Sequence, residues 1–379
     1  MKIKILFFTS QLGDGGAESH LLRLVNNIDL SVVEPLLVLS RPGGNYEGLV
    51  RKEVSIIHLT TGTKSSSTAL LKSIFPLSAL LKEKRPDIIF SVMDHANIIA
   101  CYALRIVKIE TISILSVQNT PSKSYTSGIN SSIIKHFIRK LYSKADCVIA
   151  LSCGVKADLL SFYHDIEVKD NIKVINNCGM DLKDLKIKPV EFPTNDKFKV
   201  IACGRLVEQK GFVYLIDAFS KVRETNSNVI LYIIGDGALR TDIENQICRL
   251  DLCEDVVLLG HKPNPMQYMR AADAFVLSSI HEGFGNVIIE AMAAGLPVIA
   301  TRCPHGPEEI LDYGKYGILV EPKNPKMLAE AILHLMENNL GERKKYKALS
   351  LERYKKYEAG NIAKTHIKLF KEILNAQHD

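Results

Sequence analysis

The feature that most constrains the fold is a long alternation of short, almost uninterrupted apolar runs with stretches of helical spacing. Apolar runs at 3–8, 34–39, 55–59, 87–92, 111–117, 147–151 and 173–175 are followed by a second series at 199–203, 229–234, 256–259, 274–277, 298–300 and 317–320. Helical patterns lie between them at 18–26, 68–84, 131–143, 212–224, 240–250, 265–271 and 287–294, and the tail from 341 to 374 reads as one or two more helices. A strand apolar along its whole length is covered on both faces. Such strands alternating with helices build parallel sheets flanked by helices, and about six per half is what one doubly wound domain needs. The chain of 379 residues is therefore read as α/β, with two Rossmann-like doubly wound parallel-sheet domains. The segment 183–198 contains lysines and prolines but neither period, and reads as a linker. This gives domains at 1–185 and 186–359, with a last helix at 360–379 able to pack back on the first domain.

Composition removes several classes of function. A net charge of +6 is too mild to imply nucleic acid. No run of about 18 uninterrupted apolar residues exists, so no membrane span is expected. The start, MKIKILFFTS, reads as a buried strand because its apolar stretch is too short for a signal peptide, which points to the cytoplasm. The cysteines, Cys101, Cys147, Cys153, Cys178, Cys203, Cys248, Cys253 and Cys303, form no CxxC pair. That pattern favours reduced, mostly packed thiols over disulfides or zinc.

Two sheets joined by a linker create a cleft, and open parallel sheets bind ligands at the carboxyl ends of their strands. After the first run comes TSQLGDGGAE, where Gly15 and Gly16 let backbone turn towards a phosphate at a helix start. It is neither GxGxxG nor a P-loop, and it reads equally well as a plain strand–helix turn. The first run of the second half is followed by GRLVEQKG, with Arg205 and Lys210 between glycines. Arg engages phosphate bidentately and Lys acts as a point charge, so the pair suits a departing diphosphate, though such a pair also occurs as a solvated edge. The run EGFGNVIIEAMAAGLPVIAT places Glu282 in a loop and Glu290 about one turn into a helix, with Phe284 and Gly285 between and Asn286 able to cap. Two carboxylates beside an anion-attracting helix start suit a ligand that carries hydroxyls on both sides of a diphosphate. On spacing alone they are also ordinary carboxylates favoured by the helix dipole.

In order, GGAE, GRLVEQKG, IIGDG, LLGHKPNP and EGFGNVIIEAMAAGLPVIAT resemble the family 4 glycosyltransferases of the GT-B fold, and the resemblance spans nearly the whole chain. It implies a retaining transferase that takes a sugar from a nucleotide diphosphate donor, a UDP-sugar by expectation, with no cofactor and no bound metal. Arg205 and Lys210 match the family's diphosphate-binding pair. Glu282 matches the contact to donor-sugar hydroxyls and Glu290 the contact to the ribose. Phe284, Gly285 and Asn286 match the turn whose backbone meets sugar and phosphate, and Gly15 and Gly16 the glycine loop of the other domain. The implied acceptor is a glycan or a lipid-linked glycan of a bacterial surface polysaccharide.

One departure concerns the strand at 111–117. Where many relatives carry a His after it, this chain has Gln118 and Asn119. An amide can donate a hydrogen bond but is no base near neutral pH. His95, read as a loop residue after the fourth strand, is the other candidate for a sugar or acceptor contact. The 131–144 segment puts Ile133, Ile134, Phe137, Ile138 and Leu141 on one stripe, with Lys135, Arg139, Lys140 and Lys144 largely elsewhere. This is either a core helix with a solvated face or a docking face for anionic lipid. A nucleotide-sugar hydrolase or epimerase of the same architecture, and a non-catalytic glycan- or nucleotide-binding protein, are the rival readings.

Overall fold

The computed structural model describes residues 2–60, 66–125, 129–162, 171–181, 185, 187–193, 196–337 and 340–376. Parts of the expected linker and residues 377–379 of the expected last helix lie outside the described residues. The strands are β1 Ile3–Thr9, β2 Val33–Leu39, β3 Ser55–His58, β4 Ile88–Val92, β5 Ile112–Val117, β6 Cys147–Ala150, β7 Ile172–Val174, β8 Phe198–Cys203, β9 Val229–Ile234, β10 Val256–Gly260, β11 Ala274–Leu277, β12 Val298–Thr301 and β13 Ile318–Val320. Their ends depart from the apolar runs by no more than one residue. All pair in parallel, in the orders β3-β2-β1-β4-β5-β6-β7 and β10-β9-β8-β11-β12-β13. The chain reverses direction across each sheet at one place, between β1 and β4 in the first and between β8 and β11 in the second.

Double coverage is visible within β1. Ile5 and Phe7 pack with Leu21, Leu24 and Val25 of the Gly16–Asn27 helix and with Phe370 of the Ala359–Ala376 helix. Their neighbours Leu6 and Phe8 pack on the other face with Leu77, Leu81 and Ala103. Each such fully buried side chain contributes roughly 1.5–3 kcal/mol. In the second sheet Val200 and Ala202 of β8 share a core with Leu215, Phe219 and Ile332 of the flanking helices.

The chain divides into Met1–Cys178 with Ala359–Asp379, and Gly179–Glu358. The first crossing therefore falls at 178, where the linker reading had placed it at 185. The reason is local: Asn176 Nδ2 donates to the Leu151 carbonyl and the Cys178 N–H to His20 Nδ1, which holds this segment to the first unit. Gly179 N–H then donates to the Tyr357 carbonyl of the second.

Two helix expectations change. The single helix read at 68–84 is two, Ser66–Lys72 and Ile74–Lys84. Pro76 has no N–H and its ring excludes the carbonyl of Lys72 from a continuous helix, so the break falls at Ser73. His95 is no loop residue: it is the second residue of a helix, Asp94–Val107. The thiols are also less packed than expected. Cys153, Cys248 and Cys253 are exposed, while Cys101, Cys147, Cys178 and Cys303 are buried. No helix among the described residues is long and apolar enough to cross a membrane.

Candidate functional site

The reversal point of the second sheet sets two loops side by side, one leaving β8 and one leaving β11. The β8 loop runs through Gly204 and Arg205 into a single 3-10 turn, Glu208–Lys210. The β11 loop runs through Ser278 and Ser279 to Glu282. The two are stitched at several points. Gln209 Nε2 donates to the His281 carbonyl at 2.9 Å, Ile280 N–H to the Gln209 carbonyl at 2.8 Å, and Ser278 Oγ to the Lys210 carbonyl at 2.9 Å. Gly211 closes the turn with φ +61°, and a Cβ there would lie 2.2 Å from the Ser278 carbonyl oxygen. Only glycine satisfies both demands.

This stitching brings together two residues that the sequence reading had given to different parts of a ligand. Lys210 Nζ lies 2.6 Å from Glu282 Oε1, with the side chains only 16% and 7% exposed. Ser279 Oγ donates to the same oxygen at 2.6 Å. The Glu282 backbone is fixed as well, its N–H donating to the Pro304 carbonyl and its carbonyl accepting from His305 N–H. The carboxylate is therefore preorganised, and it places the Lys210 charge at a strand's carboxyl end. Arg205 is exposed five positions before Lys210, and its guanidinium makes no hydrogen bond or ion pair among the described residues. Ser279 escaped the sequence reading; the only signal for it is the serine pair that ends the apolar run of β11.

Beyond Glu282 the chain enters the Asn286–Ala293 helix, with Gly285 at the cap position in the left-handed region, φ +99°. Asn286, read as the cap, is instead the first helical residue, because Gly285 already holds the non-helical conformation that a cap needs. No side chain caps this helix start. Phe284 is turned inward, its ring edge-on to Tyr357 at 5.9 Å, so it offers a ligand only its backbone. Glu290 is half-buried one turn into the helix. Two thiols report on the charges nearby. Burial pushes Cys203 up to about 12, with Glu290 adding to the shift and Lys210 opposing it. Burial does the same to Cys303, to about 12, with Glu282 raising it further.

In the first unit Gly15, Gly16, His95, Gln118 and Asn119 all lie at strand carboxyl ends. Gly15 is the cap residue of the Gly16–Asn27 helix. Its loop is braced by Tyr46 N–H on the Leu12 carbonyl and by Asn45 Nδ2 on Asp14 Oδ2. His95 is exposed, and beneath it Asp94 is buried, accepting from Tyr125 at 2.8 Å and from Tyr142 at 2.5 Å. Burial and then the Asp94 charge push the Tyr125 hydroxyl well above its usual range. Asn97 Nδ2 donates to the Tyr142 oxygen and to the Ser116 carbonyl, and Ser91 Oγ donates to Asn97 Oδ1. Gln118 is occupied at both ends, its Nε2 donating to Ser116 Oγ and its Oε1 accepting from Asn177 Nδ2. Asn119 Oδ1 is buried without a partner among the described residues. The tyrosine–aspartate network was not foreseen, because its members lie far apart in sequence. Among the described residues no group of three His, Cys, Asp or Glu side chains could hold a metal ion.

Comparison with known proteins places this geometry in a family. Residues 183–355 match the family profile Glycosyl transferases group 1, and residues 14–182 match Glycosyltransferase Family 4. A glycosyltransferase of Methanocaldococcus jannaschii is 34% identical over 334 residues, covering 78% of this chain and 82% of its own. The N-acetylgalactosamine-N,N'-diacetylbacillosaminyl-diphospho-undecaprenol 4-alpha-N-acetylgalactosaminyltransferase of Campylobacter jejuni is 30% identical over 377 residues, 96% of this chain and 98% of its own. Among solved structures, HepE of Anabaena in complex with UDP-glucose has a TM-score of 0.80 at 22% identity, covering 98% of this chain and 100% of that one, a likeness of fold. With both profiles matched and that identity sustained over almost the full length of two chains, this protein belongs to the family 4 glycosyltransferases of the GT-B fold.

Proposed function

We propose that this glycosyltransferase takes a sugar from a UDP-sugar and transfers it, with retention and without a metal, to a glycan or lipid-linked acceptor of a cell-surface polysaccharide, at the cytoplasmic side of a membrane. The observation that carries the reading is the Lys210–Glu282 pair at the reversal point of the second sheet, with Arg205 unengaged in the same loop. As the bond from the sugar's anomeric carbon to the diphosphate breaks, negative charge grows on the leaving oxygen, and Lys210 and Arg205 supply fixed positive charge there. The acceptor hydroxyl forms its bond on the same face of the sugar, and its proton passes to a phosphate oxygen of the leaving group. No enzyme base is needed for that step, which accords with Gln118 standing where a His is common. Glu282, oriented by Ser279 and Lys210, accepts from a donor-sugar hydroxyl. Glu290 accepts from the ribose, and Gly285 and Asn286 offer backbone N–H groups to the phosphates. The UDP-glucose held by HepE and the diphospho-undecaprenol in the name of the Campylobacter relative support the two substrate classes. The direct test is UDP release from a panel of nucleotide sugars, with and without acceptor. Release that rises when acceptor is added is expected. Acceptor-independent turnover would favour the hydrolase, and tight nucleotide binding without turnover the non-catalytic binder.

The anionic membrane surface belongs to the same proposal. In the Ile129–Tyr142 helix Ile138 and Leu141 are buried in the core, while Ile133 is exposed. The opposite side carries an open groove of about 580 Å³ lined by Ser132, Lys135, His136, Arg139 and Lys140. Three Lys and Arg side chains near an anionic surface contribute about 1 kcal/mol each. Changing Lys135, Arg139 and Lys140 together to Gln is expected to weaken co-sedimentation with phosphatidylglycerol vesicles by tenfold or more at low salt; equal sedimentation of both proteins would remove the membrane from the proposal.

A further inference from the structure

Two cysteines that the spacing rules had set aside meet at the end of a helix. The Arg240–Arg249 helix ends with Leu250 at its cap. Asp251 follows in the left-handed region, φ +56°. Its N–H donates to the Cys248 carbonyl at 3.1 Å, and the next N–H, of Leu252, reaches back to the Ile247 carbonyl at 3.0 Å. These two bonds are the paired reverse contacts of a Schellman ending, which folds the chain back over the last helical turn. The residue that leaves this motif is therefore returned to the side of the helix it came from. Here that residue is Cys253, and the helical residue beside it is Cys248. Their sulfurs are 3.1 Å apart, and both residues are exposed.

We propose that Cys248 and Cys253 form a redox-modifiable dithiol, which closes to an intramolecular disulfide through exchange with a disulfide oxidant and reopens under a thiol reductant. The sulfurs need to approach by about 1 Å to reach a bond of about 2.05 Å. The route follows from the hydrogen bond between them. The Cys253 S–H donates to Cys248 Sγ, and that bond pushes the Cys253 thiol up, which leaves Cys248, the acceptor, as the attacking sulfur. The Cys248 thiolate attacks one sulfur of the oxidant, forms a mixed disulfide and releases the oxidant's other half as a thiolate. Cys253 then loses its proton to water and attacks Cys248 Sγ, expelling the second half. Two protein thiols become one disulfide, and the two electrons leave on the oxidant, now two thiols. In a compartment held reducing, such a pair stays open and closes only when the thiol pool is oxidised, which is the behaviour of a sensor and not of a structural crosslink. Closure would tie the last turn of the helix to the segment entering β10, at the far end of the helix from Arg240 and its partners Asp236 and Glu244.

The test uses the full chain in its native state. After equilibration with excess oxidised glutathione, remaining thiols are alkylated and the protein is cut with trypsin. Arg240, Arg249 and Arg270 are cleavage sites, while Lys262 is protected by Pro263, so Cys248 and Cys253 fall on separate peptides, 241–249 and 250–270. The expected result is one crosslinked species containing both, with neither Cys248 nor Cys253 alkylated, and separation of the peptides after dithiothreitol. In Cys253→Ser, an exposed change that leaves the core intact, the crosslink should be lost and Cys248 should carry glutathione instead. Full alkylation of both cysteines in the wild-type chain, separate glutathione adducts on each, or a Cys248 crosslink to any other cysteine would each overturn the proposal.

Discussion

The two ends of the second sheet both bury an acid against a cation, and they do it differently. At the carboxyl end Glu282 meets one lysine, Lys210, itself mostly buried, with Arg205 exposed nearby. At the amino end Asp255, just before β10, meets two cations whose side chains reach solvent, Lys197 and Arg223, each at 2.6 Å. Burial alone would push the Asp255 carboxyl up, but the hydrogen bonds and charges of Lys197 and Arg223 outweigh it and hold the group below the usual carboxylate range. The amino-end cluster is complete without a ligand. At the carboxyl end Arg205 lies exposed in the same loop as Lys210 and makes no ion pair among the described residues, which is the charge the proposed diphosphate would meet. A buried ion pair is therefore not in itself the mark of a site; its position in the sheet and the uncompensated charge beside it are.

The strongest way to break this contrast is to remove Lys210. Lys210→Ala should lower transfer by about 100- to 1,000-fold, the range for losing one preorganised stabiliser of developing charge. It should also destabilise the fold by about 3–5 kcal/mol, because the buried Glu282 carboxylate loses its cation. The double variant K210M/E282L separates the two effects. Replacing a buried pair by apolar residues of similar size is often neutral for stability, so its melting temperature should recover while transfer stays lost. If transfer recovers with stability, the pair is structural and the proposed site is wrong.

Asp255 should behave in the opposite way. Asp255→Asn is expected to cost about 1–3 kcal/mol, less than a fully buried pair, since Lys197 and Arg223 can turn to water. Transfer per folded molecule should not change. The pH dependence has a definite sign. A carboxyl whose folded pKa is depressed contributes stability above its unfolded pKa, near 3.9, and that stability is lost as pH falls through the folded value. Melting curves between pH 5 and 2 should therefore fall less steeply in Asp255→Asn than in the wild type. An equal acid slope in both would mean that the carboxylate's pairing does not contribute to stability.

The same contrast explains what was legible beforehand. Strands were found to within a residue, because double coverage demands apolar side chains along their whole length, as in Val229–Ile234 and Ala274–Leu277. The sequence singles out Lys210 and Glu282 because they follow strands in glycine-bearing loops. It does not show their mutual contact, which depends on which strands adjoin at the reversal point, and β8 pairs with β11 across 74 residues of sequence. Asp255 drew no attention for a related reason: its partners Lys197 and Arg223 lie 58 and 32 residues away. The helix break at Ser73 was readable from Pro76, and the contact between Cys248 and Cys253 follows from a helix ending that five-residue spacing does not advertise.

The smallest effect is expected in the first unit, where the carboxyl end of the sheet buries Asp94 among neutral donors. Tyr125 and Tyr142 satisfy Asp94, and Gln118 spends both ends of its amide on Ser116 and Asn177. Of the polar residues the sequence puts forward there, only His95 is exposed, and Gln118 and Asn119 are half-buried. It stands on the helix that Asp94 anchors and takes no part in the network below. His95→Ala should thus leave the melting temperature within the scatter of surface substitutions, about 0.5 kcal/mol, and alter kcat by no more than about twofold. A rise in KM for acceptor with kcat unchanged would mark His95 as an acceptor contact. A loss of tenfold or more in kcat, at unchanged KM, would instead give the first unit a catalytic side chain and end the assignment of leaving-group chemistry to Arg205 and Lys210 alone.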